Sequence, residues 1–190
     1  HYFDGSMSAV ENGWVLDKGN WYWMDGLSHM AVNTWVQDGD KWYWMDESGH
    51  MLRGGWHRIG GTWYYLTGSG AMATGWLNDR GSWYYLTASG KMGQAWVHDG
   101  TGWYWMDPSS GRMDAGGWRN IWGSWYYLSG SGKAVEGWMP YRGSWYYMQP
   151  GSAQMRTGWV NDGTGWFLLA PSGAMRTGWE HLFDGWHFFA

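Results

Sequence analysis

The sequence predicts an all-β repeat protein, a solenoid of stacked β-hairpins. Three observations predict it. Trp recurs in pairs whose members are always seven residues apart: Trp14/Trp21, Trp35/Trp42, Trp56/Trp63, Trp76/Trp83, Trp96/Trp103, Trp118/Trp125, Trp138/Trp145, Trp159/Trp166 and Trp179/Trp186. Successive pairs lie 20 to 22 residues apart, a period that marks a stacked repeat rather than one globular core. Gly makes up 33 of 190 residues and punctuates every unit, while strong helix formers are sparse.

The elements follow in order. A partial repeat occupies residues 1–12, where His1-Tyr2-Phe3-Asp4-Gly5 reads like the second half of a unit. Nine units then start near Gly13, Thr34, Gly55, Gly75, Ala95, Gly117, Gly137, Gly158 and Gly178, and residues 1–190 form a single module. In the unit at Gly75, the run Gly75-Trp76-Leu77-Asn78 is a first strand and Ser82-Trp83-Tyr84-Tyr85-Leu86 a second. The Asp/Gly turn between them is a hairpin signature. Ser89-Gly90-Lys91-Met92 turns the chain toward the next unit.

A turn centred on Asp79-Arg80 would set Trp76 opposite Trp83 on one face, because cross-strand partners share a face. Alternation adds Tyr85 to that face and sends Tyr84 and Leu86 to the other. The second face also carries an aliphatic residue such as Val15, Val36, Leu77, Val97 or Val160. An isolated hairpin is marginal in water, so the copies are expected to stack.

Composition removes several function classes. Net charge is −4 with acids and bases interspersed, so there is no basic stripe for nucleic acid. No apolar run approaches the roughly 20 residues of a membrane-spanning helix. With no Cys, there are neither disulfides nor thiolate metal sites. His1, His29, His50, His57, His98, His181 and His187 share no repeat phase and read as surface residues. Asp38, Asp40, Asp79 and Asp162 read as turn formers, since one or two acids per unit fall short of a calcium loop. No metal, cofactor or catalytic residue is expected, and any catalysis would belong to a further domain attached to this segment.

The aromatics point to a ligand. Aliphatic residues would pack a solenoid without so many Trp. Three ring faces plus a Met make a box for a quaternary ammonium group, each ring attracting the cation by roughly 0.5–2 kcal/mol. One box would bind near the millimolar level, and linked copies would gain by avidity on a polymer bearing many such groups.

The pattern Gly-Trp-x-x-x-x-Gly-x-Trp-Tyr-Tyr-Leu-x-x-x-Gly-x-Met-x-Thr-Gly-Trp resembles the choline-binding repeat of pneumococcal-type surface proteins and cell-wall lytic enzymes. Gly75 to Trp96 and Gly55 to Trp76 fit closely. The resemblance implies a left-handed solenoid that attaches proteins to phosphocholine on teichoic and lipoteichoic acids, in an extracellular, cell-wall location. It further implies that both Trp of one hairpin meet the third-position aromatic of the next and a closing Met.

The implied choline boxes are Trp14 and Trp21 with Trp44 and Met51; Trp35 and Trp42 with Tyr65 and Met72; Trp56 and Trp63 with Tyr85 and Met92. Further along they are Trp76 and Trp83 with Trp105 and Met113, and Trp118 and Trp125 with Tyr147 and Met155. Trp96, Trp103 and Tyr127 form a box in which Ala134 replaces Met. Trp138 and Trp145 would receive Leu168, and Trp159 and Trp166 would receive Phe188, so weak or empty sites are expected toward the C-terminus. The last pair, Trp179/Trp186, is a candidate homodimer surface of the kind terminal hairpins form in relatives. Trp122, in a turn, reads as surface packing.

The competing function is carbohydrate binding, with the same aromatics as sugar platforms. Glucan-binding and clostridial toxin repeats share the Gly-Trp…Tyr-Tyr-Phe plan. Trp at the paired position in all nine copies, and Met closing most units, favour choline. A third option is a structural spacer or an engineered array; the variation between units speaks against a simple consensus design but not against other design routes.

Overall fold

Two-residue turns set the register of most hairpins. In the computed structural model, which describes residues 9–189, Lys18-Gly19 has φ of 47° and 84°, and Arg80-Gly81 has 50° and 81°. Positive φ at both positions is the type I′ geometry, whose twist matches that of the flanking strands, and Gly takes the second position without strain. The turn thus lies one residue later than the sequence predicts. Trp76 sits opposite Tyr85, and Trp83 opposite Asn78, not opposite Trp76. The register moves by two residues, so each side chain keeps its face.

Eighteen strands pair into nine antiparallel hairpins among the described residues. In chain order they are β1 (Gly13–Asp17) with β2 (Asn20–Met24), β3 (Thr34–Asp38) with β4 (Lys41–Met45), and β5 (Gly55–Ile59) with β6 (Thr62–Leu66). Next come β7 (Gly75–Asp79) with β8 (Ser82–Leu86), β9 (Ala95–His98) with β10 (Trp103–Met106), and β11 (Gly117–Ile121) with β12 (Ser124–Leu128). The last three are β13 (Gly137–Tyr141) with β14 (Ser144–Met148), β15 (Gly158–Asn161) with β16 (Trp166–Leu169), and β17 (Gly178–Leu182) with β18 (Gly185–Phe189). The all-β class is therefore as the sequence predicts. Residues 1–8, which hold His1 and most of the expected partial repeat, lie outside the described residues, as does Ala190.

Asp99-Gly100-Thr101-Gly102 and Asp162-Gly163-Thr164-Gly165 make longer loops. In each, the Asp Oδ1 accepts the backbone N–H of the Thr two residues on, at 2.8 Å. Such side-chain turns are the Asp chemistry expected of loop positions.

Contacts divide the chain into two units, His1–Gly93 and Gln94–Ala190. Within each, the connector after a hairpin ties it to the one before. Met72 N–H donates to the Trp42 carbonyl at 2.7 Å, while Ala73 N–H donates to that of Tyr65 at 2.9 Å. These bonds satisfy strand edges that a lone hairpin would leave open.

Within each unit the core is a ladder of buried side chains, one from each of several hairpins. Met45, Leu66 and Leu86 in the first unit, and Met106, Leu128 and Met148 in the second, are each 0% exposed. They hold the fourth position of the Trp-Tyr-Tyr-Leu run, on the face away from the paired Trp. Val15, Val36 and Val160 are also buried, whereas Leu77 and Val97 are only partly covered.

Candidate functional site

The Trp face of one hairpin meets the opposite face of the next. Trp14 packs on Tyr43 with ring centroids 4.8 Å apart, Trp35 on Tyr64 at 5.0 Å, and Trp56 on Tyr84 at 4.8 Å. In the second unit Trp96 packs on Tyr126 at 4.7 Å, Trp118 on Tyr146 at 5.0 Å, and Trp138 on Phe167 at 4.8 Å. The ring that crosses between hairpins is thus the middle one of the Trp-aromatic-aromatic run.

This differs from the pairing implied by resemblance. Trp44, Tyr65, Tyr85, Tyr127 and Tyr147 are placed directly across from the first Trp of their own hairpins, not against the preceding pair. Trp35–Trp44 and Trp56–Tyr65 are each 5.3 Å apart, and Trp118–Tyr127 is 5.4 Å. The reason is alternation: a third-position ring shares the face of its own Trp pair, so it backs that pair. Trp105 likewise packs on Trp96, at 5.3 Å. Trp76 and Trp83 end the first unit, while Trp105 and Met113 belong to the second.

Backbone bonds tie several of the Met residues to the second Trp of the preceding pair. Met51 N–H donates to the Trp21 carbonyl at 2.9 Å, Met92 to Trp63 at 2.9 Å, and Met155 to Trp125 at 2.8 Å. The Met30, Met51, Met72, Met113 and Met155 side chains then lie across a Gly of the following connector. A Cβ on Gly70, whose φ is +88°, would stand 2.5 Å from Met51 Sδ. Only Gly meets both demands, the left-handed backbone and the seat for sulfur.

A cavity of about 380 Å³ results, lined by Trp14, Trp21, Tyr43, Met51, Arg53, Gly68 and Ser69. One of about 310 Å³ recurs in the second unit, lined by Trp118, Trp125, Tyr146, Met155, Pro171 and Ser172. Three consecutive repeats build each: the Trp pair from one, Tyr and Met from the next, a Ser-bearing connector from the third. The second Trp keeps its ring open to solvent, Trp42 at 40%, Trp63 at 42% and Trp125 at 45% exposed.

The expected C-terminal decline is altered. Leu168 sits opposite Trp159 in its own hairpin, and Phe167 supplies the ring for Trp138. Met175 N–H donates to the Trp145 carbonyl at 2.7 Å. Trp138, Trp145, Phe167 and Met175 thus repeat the arrangement of the earlier boxes. Trp159 meets Phe189 at 5.7 Å, and Phe188 packs on Trp179 instead.

Turn acids have a second use that spacing alone did not disclose. The Trp14 indole N–H donates to Asp38 Oδ2 at 2.9 Å, Trp56 to Asp79 at 3.1 Å, and Trp138 to Asp162 at 2.8 Å. Each Asp stands three residues after the first Trp of the next unit, and that phase was the available signal. The bond locks the indole and places negative charge at its edge, which favours a cation on its face. At Asp162 the Trp138 indole, then the Thr164 hydroxyl, draw the carboxyl down to about 2. Trp122 packs edge-on against Trp105 at 5.1 Å, as a surface-packing residue should.

Comparison with known proteins shows the family. A choline-binding repeat model matches residues 53–95, and a cell wall binding repeat model matches 12–26, 33–51, 95–113, 116–134 and 157–175. No curated protein sequence matches. Among solved structures, CbpJ from Streptococcus pneumoniae TIGR4 is 29% identical with a TM-score of 0.82, over 98% of this chain and 80% of that one. Choline binding protein F from Streptococcus pneumoniae is 30% identical with a TM-score of 0.70, over 88% of this chain and 61% of that one. The choline-binding domain of CbpL from Streptococcus pneumoniae is 28% identical with a TM-score of 0.67, over 94% of this chain and 93% of that one. Nine aromatic hairpins of one kind, and repeat matches along most of the chain, lead to one conclusion: this chain belongs to the choline-binding repeat family of cell-wall-binding modules.

Proposed function

We propose that this module holds a larger protein at the cell surface by binding the phosphocholine of teichoic and lipoteichoic acids. The boxes are Trp14, Trp21, Tyr43 and Met51; Trp35, Trp42, Tyr64 and Met72; Trp56, Trp63, Tyr84 and Met92; Trp118, Trp125, Tyr146 and Met155; and Trp138, Trp145, Phe167 and Met175. The observation that carries this reading is the recurrence of two Trp, one crossing aromatic and one Met around a half-open space. A trimethylammonium group has no N–H to satisfy and gives up little on entering such walls. Three ring contacts amount to roughly 1.5–6 kcal/mol before the cost of association. Millimolar single sites become useful only when linked, and a polymer with many choline groups links them.

Attachment at the cell surface accords with the repeats. Choline binding protein F has been crystallised in the presence of a peptidoglycan analogue, which supports a cell-wall setting. Among the described residues no helix is long and apolar enough to cross a membrane. We read the role as binding rather than catalysis, with any chemistry in an attached domain. The last hairpin leaves Trp179 at 68%, Trp186 at 67% and Phe183 at 98% exposed, an apolar surface suited to a homodimer. Sedimentation of the chain and of Phe183→Ser tests that part: a dimer lost on substitution is expected, and a monomeric parent overturns it.

The main test is a choline titration followed by Trp fluorescence and calorimetry, with glucose and a short dextran as parallel ligands. A saturable millimolar choline response with several sites per chain is expected. Silence with choline and a response to dextran would move the assignment to glucan binding.

A further inference from the structure

One box is rebuilt, and its walls are of a different chemistry. Seven of the eight connectors carry Met at the closing position (Met30, Met51, Met72, Met92, Met113, Met155 and Met175); the eighth carries Ala134. Its backbone makes the usual bond, Ala134 N–H to the Trp103 carbonyl at 2.8 Å, so the position is the same and only the side chain is lost. The space opens into a cavity of about 510 Å³, larger than the 380 and 310 Å³ of the boxes closed by Met. Trp103, Ser131, Lys133, Glu136, Thr101 and His98 are among the residues that line it.

Two features show that these groups are held in place. Lys133 Nζ donates to the Thr101 carbonyl at 2.5 Å, and its stem crosses Gly102, where a Cβ would come within 2.2 Å of Lys133 Cε. The Trp103 indole N–H donates to the Gly151 carbonyl at 3.1 Å, which fixes the ring. Ser129 and Ser131 hydroxyls lie 2.9 Å apart, a donor–acceptor pair at the rim. Glu136 is the one acid at its phase; Val32, Arg53, Thr74, Gln94, Ala115, Thr157 and Thr177 occupy it elsewhere.

A trimethylammonium group is poorly served here. It wants dry aromatic or aliphatic walls; each Met-closed cavity carries a single serine hydroxyl, from Ser69 or Ser172, beside two Trp, whereas this one sets Thr101, Ser129 and Ser131 beside Trp103 alone. The ammonium of Lys133 opposes the carboxylate of Glu136, so a cation gains no net attraction. A neutral ring bearing several hydroxyls meets what the cavity supplies: one indole ring held by its N–H, and donors and acceptors of both kinds around it. We propose that the cavity at Trp103 is a carbohydrate subsite for a neutral pyranose sugar, set within a module whose other boxes take choline. It does not depend on choline occupying those boxes.

The test uses the full chain and two probes, the β-1,4-linked tetramer of N-acetylglucosamine and isomaltotetraose. Indole ¹⁵N resonances are followed, with the Trp103 signal identified from Trp103→Phe. At least one sugar should shift Trp103 in the millimolar range while choline leaves it still. Ala134→Met should weaken the sugar response at least tenfold and add one choline per chain. Since Met at a buried site can disturb packing, Glu136→Ala, at an exposed position, is the second variant, and it too should weaken sugar by at least fivefold. A Trp103 resonance indifferent to both sugars, or shifted by choline in the parent, overturns the proposal. So does a sugar response that both variants leave intact. Choline stoichiometry at the remaining boxes, read in the same titrations, reports separately on the choline assignment.

Discussion

Replacing Tyr43 with Leu removes one wall of the first box and little else. Tyr43 packs on Trp14 at 4.8 Å and lines the cavity with Trp14, Trp21 and Met51. Leu keeps most of the volume and loses the π face. One cation–π contact contributes roughly 0.5–2 kcal/mol, and about 1.4 kcal/mol corresponds to tenfold in affinity. Choline should therefore bind that box about 2- to 30-fold more weakly, with the other boxes unchanged, because interactions in a repeat array are local. The assay is a choline titration followed by the indole N–H resonances of Trp14 and of Trp118, the latter as an internal control. Trp14 is a sharp reporter, since its N–H is held by Asp38 at 2.9 Å. Trp44→Leu is the companion variant. Trp44 backs Trp35, so its loss should disturb the second box and spare the first. If Trp44→Leu moves the Trp14 midpoint and Tyr43→Leu does not, the crossing ring has been misassigned.

Other consequences can be checked independently. Phe167→Leu should weaken the box of Trp138 and Trp145 in the same titration, while Leu168→Phe should add nothing to it, because Phe167 alone of the two crosses to Trp138. Gly70→Ala should destabilise the chain by roughly 1–3 kcal/mol, from a φ of +88° and from displacement of Met51; chemical denaturation measures this, and the Trp14/Trp21 box should lose affinity with it. Asp162→Ala should lower stability in a pH-dependent way. The folded carboxyl sits at about 2 against an ordinary 3.8, so its contribution is complete above the ordinary value and lost as pH falls through about 2. The melting-temperature gap between parent and variant should be constant above about pH 5 and should narrow as pH falls from about 4 toward 2; a gap as wide at pH 2 as at pH 7 refutes the ionic role.

Much of the fold was legible because it repeats. Trp at a fixed interval, Gly in the turns and alternating side chains predict stacked hairpins, and nine copies average out the ambiguity of any one. The face shared by Trp76, Trp83 and Tyr85 survived a register error of two residues, since side chains on a strand alternate with period two. The closing Met positions were legible for the same reason, and Met51, Met92 and Met155 bond to the second Trp of the preceding pair. The crossing ring could have been found by the same logic. If one hairpin turns its Trp face to the next, the next must answer with its other face, which carries Tyr84 and not Tyr85.

The sequence by itself determined the class of fold and the nine hairpins of the described residues, and it marked the recurring Trp, Tyr and Met as the ligand-facing chemistry, because these depend on which residues recur and at what period. Only the tertiary structure decided which side chains meet across hairpins. That depends on how one hairpin is laid on another, a relation between residues 20 or more apart that no local pattern contains. It brought Tyr43 rather than Trp44 to Trp14, set Asp38 beneath the Trp14 indole, and restored a ring to Trp138 through Phe167. It also showed that losing one Met side chain at Ala134 leaves a cavity lined by charged and hydroxyl groups rather than a collapsed box, because the backbone bond to Trp103 holds the connector in place.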